Sequence, residues 1–226
     1  MPANRRPIRF TTDDGLTLVG EVAQPLTERR TTLLCLHPNP TGGGMMDSHI
    51  YKKASNRLPA MAGVEVIRFN TRGTESAAGK SEGAFDNGGL EKLDVEAAIN
   101  FAFNECAATE LWVIGWSFGT DLALRHARDP RIRGLILLSP TLMTTQEVDL
   151  EWWSRDGRPI TALIPEFDDY LRPAEAKVRF EKLQQIDLIN VDEGKHLWVG
   201  ELQVYRVLTE IVRIIAPERL PLPTEW

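Results

Sequence analysis

A serine stands between two glycines at Gly115-Trp116-Ser117-Phe118-Gly119, directly after the apolar run Leu111-Trp112-Val113-Ile114. This reads as a buried strand turning sharply into a helix, with the serine at the bend and its hydroxyl lifted off the sheet. The flanking glycines fit a turn so tight that a Cβ would strike neighbouring backbone. The chemistry on offer is nucleophilic attack. It requires a base, because a neutral serine hydroxyl is a poor nucleophile, and imidazole is best matched to that role near neutral pH.

Four histidines are available: His37, His49, His126 and His196. His126 lies down the helix that leaves the serine turn, roughly 13 Å away along the axis, and is out of reach. His37 ends an apolar run and precedes Pro38, which suits shaping a loop. His49 opens a helix and faces either a cleft or solvent. His196, in Asp192-Glu193-Gly194-Lys195-His196-Leu197-Trp198, follows the last apolar run and is the expected base. Its tautomer needs one oriented carboxylate. Glu166, Asp168 and Asp169 all follow the run Ile160–Ile164. Asp168 is the first choice and Asp169 the alternative, since Asp169 or Glu166 could instead cap a helix near Pro173.

The elements that must position these groups follow from periodicity. Asp13-Asp14-Gly15 separates two alternating runs, Arg5–Thr12 and Leu16–Ala23, and predicts a hairpin. Apolar strands are then expected at Thr31–Leu36, Val64–Phe69, Leu111–Ile114, Gly134–Leu138, Ile160–Ile164 and Ile186–Val191. Helices are expected between them. One is capped by Ser48 and ended by Gly63, one covers Leu90–Phe103 with Leu90, Leu93, Ala97 and Phe101 on one face, and others cover Thr120–Arg128, Pro173–Leu183 and Leu202–Ile215. Strands apolar throughout and separated by helices predict a mostly parallel, doubly wound sheet covered on both sides. Functional loops then lie beyond the carboxyl ends of the strands, where Ser117, Asp168 and His196 all fall.

Composition narrows the alternatives. With 226 residues and 42% hydrophobic content the expected organisation is one domain over residues 1–226. A net charge of −6 argues against a nucleic-acid surface. The expectation is a cytoplasmic protein without a membrane span, because no segment is apolar enough to cross a bilayer and the start lacks a secretion-type stretch. Two cysteines, Cys35 and Cys106, make no disulfide framework. Cys35 and His37 find no further ligand pair at zinc spacing, so no metal site is expected. Gly79-Lys80-Ser81 imitates the end of a phosphate loop, but Gly73 is one position out of register and Glu82 and Asp86 would repel phosphate.

With these residues in place, the chain resembles the α/β-hydrolase superfamily, in particular its small bacterial serine hydrolases. Beyond the serine turn, the resemblance is carried by His37-Pro38-Asn39-Pro40 with Gly42-Gly43-Gly44-Met45-Met46-Asp47. It extends through Arg68-Phe69-Asn70-Thr71-Arg72-Gly73 and Ser81-Glu82-Gly83-Ala84-Phe85-Asp86, then Asp168–Pro173 and His196-Leu197-Trp198. It implies an α/β-hydrolase fold with an N-terminal hairpin and no large cap domain. It also implies a Ser117–Asp168–His196 triad in the order nucleophile, acid, base, with Phe118 and Asn39 amides as an oxyanion hole and no cofactor. Relatives often carry His-Gly or His-Pro-His where this chain has His-Pro-Asn, and often glycine where Pro165 stands, which leaves the Asp168/Asp169 register open.

The expected activity is cleavage of a small or extended carboxylic ester through an acyl-enzyme. Thioester or peptide cleavage, or a non-catalytic ligand-binding protein of the same fold, are the alternatives. Residues 141–159 read as a small lid or as a connecting helix. In the lid reading Met143, Trp152 and Trp153 wall the substrate pocket.

Overall fold

The computed structural model describes residues 3–224. Its first reversal is at Asp13-Asp14-Gly15, where Gly15 takes a positive φ of 86° and the Thr12 amide donates to Leu16 O at 2.9 Å. The turn joins β1 (Asn4–Thr11) to β2 (Thr17–Gln24) as an antiparallel pair. β3 (Thr31–Leu36) is buried along its whole length. α1 (His49–Ala62) follows and stops at Gly63, whose left-handed φ of 66° suits a residue without a Cβ. Ser48 stands before α1, but its hydroxyl accepts from the Met45 amide in place of capping the helix.

β4 (Val64–Phe69) leads to a two-residue pair, β5 (Glu75–Ser76) and β6 (Gly79–Lys80). Ser81, the last residue of the phosphate-loop imitation, is buried there. Its hydroxyl donates to Asn70 O and accepts from the Val19 amide. α2 (Glu91–Asn104) and β7 (Leu111–Trp116) come next, followed by α3 (Phe118–His126), β8 (Ile132–Leu138) and α4 (Glu147–Asp156). β9 (Ile160–Pro165), α5 (Pro173–Arg179), β10 (Ile186–Val191) and α6 (Glu201–Ile215) complete the order.

The eight-stranded sheet runs β1-β2-β4-β3-β7-β8-β9-β10. Pairing is antiparallel from β1 to β4 and parallel from there on. The winding direction reverses between β3 and β7. At such a switch point the loops leaving adjacent strands diverge and open a crevice beyond their carboxyl ends. Asn39 leaves one of these strands and Ser117 the other.

Two apolar layers hold the helices on the sheet. On one face α1 and α6 pack through Tyr51, Leu58, Val204, Leu208 and Ile211. On the other, α2, α3 and α4 pack through Val95, Leu122 and Trp153. Each such side chain removed from water contributes about 1.5–3 kcal/mol.

Two helices depart from the periodicity. Ala97 and Phe101 lie on the buried face of α2 as expected, whereas Leu90 stands at the N-cap before the helix and is 51% exposed, and α2 also buries Asp94. The reason is polar pairing: the buried Arg72 guanidinium donates to Asp94 Oδ1 at 2.8 and 3.0 Å, and the Arg72 amide donates to Oδ2 at 2.8 Å. A charge that is paired and hydrogen-bonded can be buried among apolar residues. α5 ends at Arg179, short of the expected Leu183, because Phe180 and Leu183 fold back into the core.

Candidate active site

The bend at Ser117 is built by its two glycines. A Cβ on Gly115 would lie 2.3 Å from Gly119 O, and one on Gly119 would lie 2.0 Å from Leu36 O. Ser117 itself takes φ 55° and ψ −121°, a backbone region costing about 1–3 kcal/mol for a residue with a side chain. Its amide donates to Leu138 O at 2.9 Å, which fixes the bend to β8. The strain is held by packing on every side, and its result is a hydroxyl standing clear of the sheet.

Seventy-nine positions further on, His196 Nε2 lies 2.8 Å from Ser117 Oγ. On its other side, His196 Nδ1 is 2.9 Å from Asp168 Oδ2 and 3.1 Å from Oδ1. Asp168 is buried, and Oδ1 also accepts the Tyr170 amide at 2.8 Å and the Leu171 amide at 3.3 Å. Burial pushes this carboxyl up. The hydrogen bonds from His196 and the two amides outweigh it and leave the group below its ordinary value. An ionised carboxylate only accepts, so the proton of the neutral ring sits on Nδ1 and Nε2 is free to accept from the serine.

The histidine loop is pinned through its backbone. His196 O accepts from Trp116 Nε1 and from Ser139 Oγ, both at 3.1 Å. Tyr170 covers the ring, with centroids 4.6 Å apart and planes inclined at 50°. An oriented base facing a serine hydroxyl can take its proton as the oxygen attacks, then return that proton to a departing group.

A cleft of about 160 Å³ opens at Ser117, lined by Asn39, Asn87, Phe118, Thr141, Met143, Thr144 and Tyr170. Phe118 is the first residue of α3, where the amide has no acceptor within the helix. Asn39 turns its side chain back on its own loop, accepting from Thr41 N and Thr41 Oγ1 at 2.9 Å each. Among the described residues no group of three or more His, Cys, Asp or Glu side chains is gathered to hold a metal ion.

No protein-family model matches the chain. A curated relative, the uncharacterized protein RP471 of Rickettsia prowazekii, is 31% identical over 135 residues, which is 59% of this chain. The chain covers 55% of that relative's length. Solved structures match far more completely. XC6422 of Xanthomonas campestris, described as an α/β serine hydrolase without a lid, superposes with a TM-score of 0.76 at 22% identity, covering 95% of this chain and 96% of that one. An α/β serine hydrolase homologue from Coxiella burnetii gives 0.78 at 21% identity, over 93% and 97%. The Pyrococcus furiosus esterase Pf2001 gives 0.76 at 18% identity, over 94% and 93%.

This chain has the α/β-hydrolase fold. Within that fold the expected site residues divide into those brought together and those held apart. Ser117, Asp168, His196, Asn39, Phe118 and Met143 meet at one crevice. Asp169 is exposed, and Glu166 accepts the Glu193 amide at 2.8 Å. The start of α5 is capped instead by Glu175, which accepts from the Arg172 amide.

Trp152 and Trp153 require a correction, because neither lines the cleft. α4 lies along α3 on the flank of the α/β-hydrolase sheet, not across its carboxyl rim. Trp153 is fully buried there and donates from Nε1 to Leu124 O at 2.8 Å. Trp152 is partly buried, with the guanidinium groups of Arg128 and Arg158 at 5.3 and 5.7 Å from its ring. Residues 141–159 thus hold a connecting helix.

The other histidines are structural. His49 Nε2 is 3.2 Å from Trp198 O with its ring edge-on to Trp116, and His126 Nε2 is 2.7 Å from Gly88 O. His37 is fully buried beneath the Asn39 loop.

Sequence reasoning missed Tyr170, Asn87, Thr141 and Thr144, and the residue that holds two of them, Asp121. Asp121 Oδ1 accepts from Thr144 N, Thr145 N and Thr145 Oγ1 at 2.9, 2.7 and 2.7 Å, while Oδ2 accepts from Thr141 Oγ1 at 2.6 Å. The available signal was a carboxylate one helical turn past Ser117, beside the apolar run Leu122-Ala123-Leu124.

Proposed function

We propose that this protein is a serine hydrolase that cleaves a carboxylic ester through an acyl-enzyme. The observation that carries the reading is the unbroken line Ser117 Oγ, His196 Nε2, His196 Nδ1, Asp168 Oδ2, with contacts of 2.8 and 2.9 Å. Ser117 Oγ attacks the ester carbonyl as His196 Nε2 takes its proton. The amides of Phe118 and Asn39 donate to the oxyanion, an interaction worth about 3 kcal/mol for one such donor. As the tetrahedral intermediate collapses, the bond to the leaving oxygen breaks and His196 returns the proton to it. Water then repeats the sequence on the acyl-serine and regenerates Ser117.

Asp168 holds the ring tautomer and stabilises the imidazolium without itself being protonated. The named hydrolases and the esterase among the structural neighbours support a hydrolytic reading.

A fluorophosphonate probe tests the assignment. It is expected to label Ser117, and Ser117→Ala is expected to lose both labelling and ester turnover. Undiminished turnover in that variant would refute the reading.

A further inference from the structure

The crevice at Ser117 shares one wall residue with a second space. Tyr170 also bounds a second groove, of about 510 Å³, which runs over α5 between Leu171, Ala174, Glu175, Val178 and Arg179. The two spaces differ in scale. The cleft falls below the range of roughly 300–1,000 Å³ that larger ligands occupy, and the groove falls within it. Val178 is 65% exposed on the groove, and Arg179 Nη2 reaches Leu142 O at 3.5 Å, tying its wall to the loop that carries Met143.

The position of the imidazole decides which part of an ester enters which space. His196 Nε2 must deliver its proton to the leaving oxygen, so the leaving group departs on the imidazole side of Ser117 Oγ. Tyr170 packs on that imidazole and forms a wall of both the cleft and the α5 groove. The carbonyl oxygen must face the amides of Phe118 and Asn39, which line the small cleft and not the groove, so the carbonyl carbon sits in the cleft.

Resting on the hydrolase reading above, we infer that the α5 groove binds the leaving-group alcohol, so the preferred substrate is a short-acyl ester of an extended, largely apolar alcohol. The cleft takes only a short acyl chain. Each methylene the groove removes from water contributes up to about fourfold to kcat/KM.

The experiment compares octyl acetate, ethyl acetate and ethyl octanoate with the intact protein, alongside Ser117 labelling. Octyl acetate is expected to exceed both others in kcat/KM by at least about tenfold, through a lower KM. Ala174→Trp and Val178→Glu, both at exposed positions, are expected to bring the octyl-to-ethyl acetate ratio down toward one. Faster cleavage of ethyl octanoate than of octyl acetate, or a ratio unmoved by both substitutions, would overturn the groove assignment while Ser117 is still labelled. An unlabelled Ser117 with no ester cleaved would instead refute the hydrolase reading beneath it.

Discussion

His37 Nε2 accepts the Thr71 amide hydrogen at 3.1 Å in a place without solvent access, while its Nδ1 donates to Pro38 O at 2.7 Å. One neutral ring therefore joins the Asn39 loop to the loop after β4. Burial lowers its pKa to about 4, against the Pro38 hydrogen bond, which raises it.

Protonating His37 would remove the acceptor for Thr71. The unfolded chain takes up a proton at this site near pH 6.5, whereas the folded protein refuses it until about pH 4. The unfolded state binds more protons in that window, so stability falls as pH drops from about 6.5 to 4 and the loss levels off below. The expected loss from this site is on the order of 3 kcal/mol. Urea unfolding at pH 7 and pH 4.5 checks it: His37→Gln is expected to flatten the decline by up to one proton. Equal slopes in both proteins would contradict the assignment.

Asp121 gathers the wall of the cleft. Asp121→Ala is expected to release the segment carrying Thr141 and Thr144, costing about 3 kcal/mol in unfolding free energy. KM for an ester should rise at least severalfold, with kcat changing less, because the relay of Ser117 and His196 is untouched. Steady-state kinetics on the folded variant separates these. A fall confined to kcat would place Asp121 in the relay itself.

Trp153 illustrates the difference between a helix that roofs a cleft and one that packs beside it. Trp153→Ala is expected to lower stability by about 3–5 kcal/mol. Trp153→Phe, which keeps most of the volume, should leave KM for an ester within about twofold. A large KM change in the Phe variant without loss of stability would restore the tryptophan to the substrate wall.

How far the amino-acid order reveals the site depends on what each residue does with its side chain. The strands leave a continuous apolar trace because both sheet faces are covered, and the bend at Ser117 leaves a glycine at position 119 because a Cβ there would lie 2.0 Å from Leu36 O. The juxtaposition of Ser117, Asp168 and His196 follows from strand order, since each stands just past the carboxyl end of β7, β9 or β10. A buried carboxylate leaves no such trace. Asp94 and Asp121 are buried because partners in other elements satisfy them, so periodicity does not show that α2 buries a carboxylate and says nothing of the cleft wall. Trp152 and Trp153 look the same in sequence whether they face a substrate or α3. Tyr170 was hidden because it acts through its backbone amide and its ring face, which no motif encodes.

Asp168 is held ionised by His196 and by the amides of Tyr170 and Leu171. Asp168→Asn would present an amide that can donate to the ring, favouring the tautomer with its proton on Nε2, where it cannot accept from Ser117. A fall in kcat of about 10⁴-fold is expected with the fold intact. Turnover and circular dichroism of the purified variant check it, and a loss below about tenfold would move the acid's role elsewhere.

A covalent acyl group on Ser117 is the intermediate that the proposed reaction requires. Rapid quenching of the reaction with p-nitrophenyl acetate, followed by peptide mass spectrometry, tests it directly. An acetyl group on the peptide holding Ser117, appearing at least as fast as p-nitrophenol is released at steady state, is the predicted result. Release of p-nitrophenol with Ser117 unmodified throughout would contradict it.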